Sequence, residues 1–338
     1  MLSENAYVSI APDLRICRLL NGMWQVSGAH GAINPVAALQ DMMNYHLDGF
    51  TTWDLADHYG PAEDFIGMFR HKLQVEQGDA ALVETQAFTK WVPRPTRITR
   101  QMAEEAINAA LSRMKVTTLD MVQFHWWDYS NPAYLDALKY LSDLQAEGKI
   151  RHLGLTNFDT ERLEQIVGQG IQIVSNQVQF SIIDQRPLVK MAAFCAAHDI
   201  ALLTYGTFCG GMLSADYLHE REPSAGMLTT ASLRKYKYMI DSWGGWALFQ
   251  QLLMQLHNLA QKHQVSIANV SARYILDQPS VAGVIVGARL GERQHRAENA
   301  RVFDFNLSAD DIASLRAITD QGKDLFQLIG DCGDEYRH

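Results

Sequence analysis

Residues 49–67 read GFTTWDLADHYGPAEDFIG. The β-rich run Phe50-Thr51-Thr52-Trp53 leads into Asp54. Ala56-Asp57-His58-Tyr59-Gly60-Pro61 then turns the chain, and 62–69 begins a helix. A strand that ends in an acid and opens into a loop holding a tyrosine is how α/β enzymes present reactive groups. In these folds the loops at the carboxyl ends of parallel strands carry the chemistry.

Outward from this stretch the same strand-then-helix order repeats. Apolar runs at 19–23, 50–53, 81–89, 119–124, 150–155, 173–176, 201–205 and 281–286 predict eight strands. Helical periodicity at 35–47, 62–73, 98–114, 132–147, 160–168, 186–198 and 246–278 fills most gaps. Gly148 just past one helix, and Asp159 and Ser130-Asn131-Pro132 at helix starts, punctuate the pattern. Eight such units predict parallel strands with helical crossovers, closed into a (β/α)8 TIM barrel rather than spread as an open sheet. Residues 7–18, with Ala11-Pro12-Asp13 at the turn, predict a hairpin ahead of the barrel. Residues 206–245, with Gly210-Gly211 and Gly244-Gly245, predict a long loop after the seventh strand, functional or mobile. No linker divides the chain, so 1–338 is expected as a single domain.

Composition removes several function classes. The 338 residues are 47% hydrophobic, ordinary for a globular core. A net charge of −9, from 29 basic and 38 acidic residues, argues against a nucleic-acid surface. No apolar run is long enough for a membrane span. The start, MLSENAYVSIAPDL, lacks the basic and apolar segments of a secretory signal, so a cytoplasmic protein is expected. Cys17, Cys195, Cys209 and Cys332 form no CxxC pair or ligand cluster and are expected as reduced thiols. No G-x-G-x-x-G follows any strand, so a nucleotide, if bound, is held outside a Rossmann fold.

The carboxyl ends of three successive strands carry the signal. The second gives Asp54 with Tyr59 behind it, the third ends in Lys90, and the fourth ends in His125. Any one of these has a bland explanation: a solvated lysine, a structural histidine, an acid capping the next helix. Together they suit proton transfer to an oxygen. A tyrosine at its ordinary pKa of about 10 works best as an acid-base near neutrality if brought to roughly 7–8. That shift needs about 3–4 kcal/mol in favour of phenolate, which an adjacent ammonium, Lys90, can supply. Asp54 would hold Lys90, and His125 would donate a hydrogen bond to a substrate oxygen.

The D-L-A-D-H-Y-G run, Lys90, and His125 in Q-F-H-W-W resemble the aldo-keto reductases, over nearly the whole chain. The resemblance implies a (β/α)8 barrel with a hairpin plug at its bottom, NADP(H) binding, and a tetrad of Asp54, Tyr59, Lys90 and His125 with Tyr59 as general acid-base. It also implies that Thr156, Asn157 and Gln177 hold the nicotinamide carboxamide and that Tyr205 stacks on the ring. Trp24 and Trp126 become walls of the substrate pocket, with Trp127 beside them. Glu298 and Asn299 match the adenine contact. After the eighth strand, VGARLGERQHRAEN concentrates Arg289, Arg293 and Arg296, and guanidinium suits a 2′-phosphate. Leu290 departs from the family's small polar residue there, and His295 stands where an arginine is common. NADP(H) is therefore favoured over NAD(H), with a small-molecule carbonyl or alcohol as substrate. Two other readings stay open. One is an NADP(H)-binding regulatory subunit using Tyr217, Tyr236, Tyr238, Trp243 and Trp246 as a partner surface. The other is a metal-dependent hydrolase built on Asp54, Asp57, His58 and His125, for which the first strand's end, Gly22-Met23-Trp24-Gln25, offers no His-x-His pair.

Overall fold

Strands β1 (Tyr7–Ala11) and β2 (Leu14–Cys17) form the expected antiparallel hairpin, turning at Pro12 and Asp13. This is seen in a computed structural model of the chain, which describes residues 2–27, 33–292 and 295–337. Eight parallel strands follow: β3 (Leu19–Gly22), β4 (Thr52–Asp54), β5 (Gln86–Trp91), β6 (Leu119–His125), β7 (Ile150–Thr156), β8 (Ser175–Gln179), β9 (Ala201–Tyr205) and β10 (Val281–Gly287). They pair in chain order, and β10 pairs back onto β3, closing a barrel. This is the (β/α)8 architecture read from the sequence.

Alternation along each strand decides what enters the barrel. Phe88, Met121 and Leu203 point inward at the bottom, and pack with Leu20 and Ala282 against Leu14 and Ile16 of the hairpin. The hairpin is therefore the plug. Each fully buried Leu or Phe in this layer contributes on the order of 1.5–3 kcal/mol. Two residues further along the same strands, the inward positions become Lys90, Gln123 and Tyr205. One face thus runs from an apolar floor to a polar top. The intervening Ala87, Trp91, Val122 and Phe124 point outward and join the larger cluster under the helices.

Several boundaries differ from the sequence reading. Residues 81–84, expected in the third strand of the barrel, belong to the helix Asp79–Glu84. Ala, Leu and Glu are strong helix formers, and Val83 is 79% exposed there, outside any ladder. The long apolar stretch 246–278 is two helices, Gly245–His263 and Ile267–Leu276. Gln264 turns left-handed between them, and the Ser266 hydroxyl accepts from the Asn269 N–H at 3.2 Å to start the second. Within 206–245, expected as a loop, the helix Ala231–Trp243 is capped by Thr230, whose hydroxyl accepts from Leu233 at 3.1 Å. Tyr236, Ile240 and Trp243 bury at helical spacing. That burial, with Trp246 also buried, removes most of the aromatic partner surface; Tyr238 stays exposed. Gly148 closes the helix Tyr134–Ala146 with φ of +81°, as its position suggests. The Asp159 carboxylate caps the helix Thr160–Gly168 through Arg162 N–H at 2.7 Å. Among the described residues no helix is long and apolar enough to cross a membrane. The four cysteines are all buried and unpaired, and burial pushes Cys17 up to about 12.

Candidate active site

Asp54 is the last residue of β4, and its carboxylate gathers donors from three further strands. Lys90 Nζ of β5 donates to Oδ2 at 2.7 Å and Oδ1 at 2.8 Å, and to the Leu55 carbonyl at 3.0 Å. Gln123 of β6 and Gln177 of β8 donate to Oδ1 at 2.8 and 2.7 Å. Gln177 also reaches Gln123 Oε1 at 2.8 Å. Asp54 and Lys90 are each 3% exposed, so this is a desolvated ion pair with neutral donors completing it. Gln123 was not singled out in the sequence. Its signal is parity: it lies two residues before His125, on the inward face of an otherwise apolar strand.

The loop carrying Tyr59 is laced onto β5. Leu55 N–H donates to Phe88 O at 2.9 Å, Asp57 N–H to Lys90 O at 3.0 Å, and the Asp57 carboxylate accepts from Val92 N–H at 3.1 Å. Asp57 is thus loop structure, and it holds His58 at 2.8 Å. The Tyr59 ring sits edge-on to Trp24, centroids 5.0 Å apart, and to His58 at 4.9 Å. Lys90 Nζ lies 5.3 Å from the ring centre. All three ammonium hydrogen bonds go to Asp54 and Leu55, not to the phenol. Burial first, then the nearby Asp54 carboxylate, push the Tyr59 phenol well above its ordinary value. Lys90, bonded to Asp54 and Leu55, does not offset these, so the lowering expected from the sequence is not seen.

His125 ends β6 with Nδ1 2.9 Å from the Thr156 carbonyl. A carbonyl oxygen only accepts, so Nδ1 carries the ring proton. Burial above all holds the imidazole down to about 4, hence neutral. Nε2 is buried without a hydrogen-bond partner among the described residues and presents a lone pair. With the proton on Nδ1, Nε2 offers a lone pair and no donor, whereas the sequence reading expects a donor there. Trp127 stands edge-on to His125 at 4.3 Å and is 40% exposed. Trp126 is fully buried, stacks on Phe124, and donates Nε1–H to the Asp128 and Asn131 carbonyls. The wall beside His125 is Trp127, and Trp126 supports it from the core.

The residues assigned to nicotinamide gather at the ends of β7, β8 and β9. Thr156 Oγ1 is buried without a hydrogen-bond partner among the described residues. Asn157 follows it with φ of +58°, its N–H on Gln177 O at 2.8 Å and its Oδ1 accepting from Tyr205 O–H at 2.7 Å. Tyr205 also meets Tyr336 at 3.1 Å. The Lys235 ammonium, from the helix in the 206–245 segment, bonds Tyr336 and lies 5.2 Å from the Tyr205 ring centre. Tyr336 and its neighbours at the C-terminus were missed from sequence, since nothing local marks residues that act across 130 or more positions. The orphaned Thr156 hydroxyl and the tethered Asn157 side chain fit a carboxamide.

The loop after β10 is less concentrated in free charge than its sequence. Arg296 donates to Asp48 at 2.8 Å and Asp41 at 3.3 Å on the first barrel helix, Pro35–Leu47, and its C-cap. It is a structural clamp and not a phosphate group. Arg289 stays partly exposed, with Glu292 at 3.8 Å, and His295 is 3.5 Å from Glu298. Arg293 lies outside the described residues. Leu290 is buried, 1% exposed, so its side chain serves packing. Glu298 and Asn299 lie on the short helix Arg296–Ala300, with Asn269 Nδ2 on the Glu298 carbonyl at 2.9 Å. Among the described residues no group of three or more His, Cys, Asp or Glu is placed to hold a metal ion.

The sequence profile of the aldo/keto reductase family matches residues 18–320. A methylglyoxal reductase of Escherichia coli, named as NADH-specific, is 22% identical over 91% of this chain and 96% of its own. The chloroplastic pyridoxal reductase of Arabidopsis thaliana is 26% identical over 83% and 76%. Among solved structures, a glycerol dehydrogenase of Gluconobacter oxydans superposes with a TM-score of 0.75 at 20% identity, over 97% of this chain and 98% of that one. A Bombyx mori aldo-keto reductase in complex with NADP does so at 0.68 and 18%, over 92% of each. The barrel, its plug and the family match together place this chain in the aldo/keto reductase family.

Proposed function

We propose that the chain interconverts an aldehyde, ketone or sugar carbonyl and the corresponding alcohol, with NADP(H) as the dinucleotide and Tyr59 as the acid-base. The observation that carries this reading is the buried Asp54–Lys90 pair at 2.7 Å beneath Tyr59, with His125 at the next strand end. Thr156 and Asn157 would hold the carboxamide. Gln177, whose amide nitrogen is on Asp54, would offer its oxygen. Tyr205 would flank the ring, and Arg289 and His295 would meet the 2′-phosphate. When bound, the dinucleotide exchanges hydride with the substrate carbon. Tyr59 would bond the substrate oxygen and move its proton, with His125 and Trp127 lining the space beside it.

A phenol pushed above its ordinary value stays protonated at neutral pH, so its proton is available to a carbonyl oxygen. The reverse reaction needs phenolate. The expected outcome is a kcat/KM for carbonyl reduction that is flat between about pH 6 and 9, with alcohol oxidation rising over that range. A reduction rate that falls about tenfold per pH unit above 7 would instead place the Tyr59 pKa near neutrality. Cofactor choice is tested separately. Removing a charge-assisted phosphate contact costs about 1.5–3 kcal/mol, so Arg289→Ala should weaken NADPH binding roughly tenfold or more and leave NADH unchanged. Equal effects on both dinucleotides, read by fluorescence titration, would remove Arg289 from the 2′-phosphate site.

A further inference from the structure

The end of the chain returns over the barrel's mouth. Glu335 pairs with Arg186 at 3.0 Å, itself locked on Asp184 through two bonds of 2.8 and 2.9 Å. Beyond this anchor, Arg337 Nη2 donates to two backbone carbonyls, Trp126 O at 2.8 Å and Asn157 O at 2.7 Å. The first follows His125 at the end of β6, and the second follows Thr156 at the end of β7. The guanidinium is itself fixed, lying 3.8 Å over the Tyr129 ring, whose hydroxyl also donates to Asn157 O at 3.4 Å.

Asn157 is the residue so held. Asparagine tolerates a left-handed φ better than most residues, and such a conformation is kept where the surroundings hold it. Gly333 completes the grip: a Cβ on it would lie 2.1 Å from Asn157 O, so only glycine lets the tail come this close. Relaxation of Asn157 toward an ordinary φ would swing its side chain off Tyr205.

We propose that Arg337, with Gly333, is a positioning residue for the nicotinamide end of the site. It keeps Asn157 left-handed so that the Asn157 carboxamide faces the dinucleotide, and it ties that residue to the strand end bearing His125. The inference rests on the nicotinamide reading of Thr156 and Asn157 above.

The test compares NADPH with adenosine 2′,5′-bisphosphate, which keeps the adenosine phosphates and lacks nicotinamide. Arg337→Ala should bind NADPH about tenfold more weakly, a factor equal to about 1.4 kcal/mol, and bind the bisphosphate unchanged. Arg337→Lys, or guanidinium added to Arg337→Ala, should recover part of the loss. Unchanged NADPH affinity, or equal weakening of both ligands, overturns the proposal in favour of a tail that only stabilises. Should thermal melting show Arg337→Ala unfolded, Gly333→Ala must show the same split between ligands. A wild-type protein that binds neither NADPH nor NADH overturns the nicotinamide reading itself, a result distinct from a loss confined to the variants.

Discussion

Tyr59→Phe is expected to lower carbonyl turnover by about 10²–10⁴-fold, the range that a positioned general acid contributes, with dinucleotide affinity unchanged. The substitution removes one oxygen and leaves the ring. The ring's packing is what the loop uses: edge contacts with Trp24 at 5.0 Å and His58 at 4.9 Å. The loop's hydrogen bonds to β5 run through Leu55 and Asp57 backbone groups, which the change does not touch. Lys90 makes its bonds to Asp54 and Leu55, so no partner is orphaned when the hydroxyl goes. Loss of turnover in a folded, dinucleotide-binding variant isolates the proton. Turnover within a few-fold of wild type would sink the assignment of Tyr59 as the acid.

Lys90→Met should have the largest effect on stability, about 3–5 kcal/mol, the cost of breaking a buried ion pair from one side. The carboxylate it leaves behind keeps Gln123 and Gln177 on Oδ1, but Oδ2 loses the donor it has in Lys90. Both partners are 3% exposed, so water does not replace the ammonium. Asp54→Asn combined with Lys90→Met removes the stranded charge and should be less destabilised than the sum of the single variants. Urea unfolding of the four proteins measures this cycle. Strict additivity would mean that the pair does not couple, against the 2.7 Å geometry. Turnover should fall in every variant, so stability is the discriminating readout.

Much of the site was legible because strand parity is a local rule. Asp54, Lys90 and His125 sit at or near strand ends, and a two-residue period puts Lys90 above Phe88 and His125 above Gln123 and Met121 on the inward face. The helices were legible where apolar spacing and caps agree, as at Asp159. Legibility failed where a residue's environment depends on the other side of the molecule. Trp126 and Trp127 are adjacent and chemically alike, and only packing against Phe124 sends the first into the core. Arg296 reads as a phosphate ligand until Asp41 and Asp48 close on it from a helix some 250 residues earlier. The 206–245 segment reads as a loop by its glycines, although Tyr236, Ile240 and Trp243 carry a helical period between them.

The sequence by itself determined the barrel, the hairpin ahead of it and the strand-end placement of Asp54, Lys90 and His125, because alternation and helix periodicity are written within a few residues; that the hairpin plugs the barrel was implied by the family resemblance. Only the tertiary structure decided the state of the groups so placed. The proton of His125 lies on Nδ1 because Thr156 O comes within 2.9 Å. The Tyr59 phenol is pushed up because closure of the fold buries it and sets the Asp54 carboxylate near it. Asn157 is gripped by a guanidinium 180 residues away in the chain. Charge, tautomer and strain depend on the nearest atoms in space, and those atoms are supplied by closure of the fold.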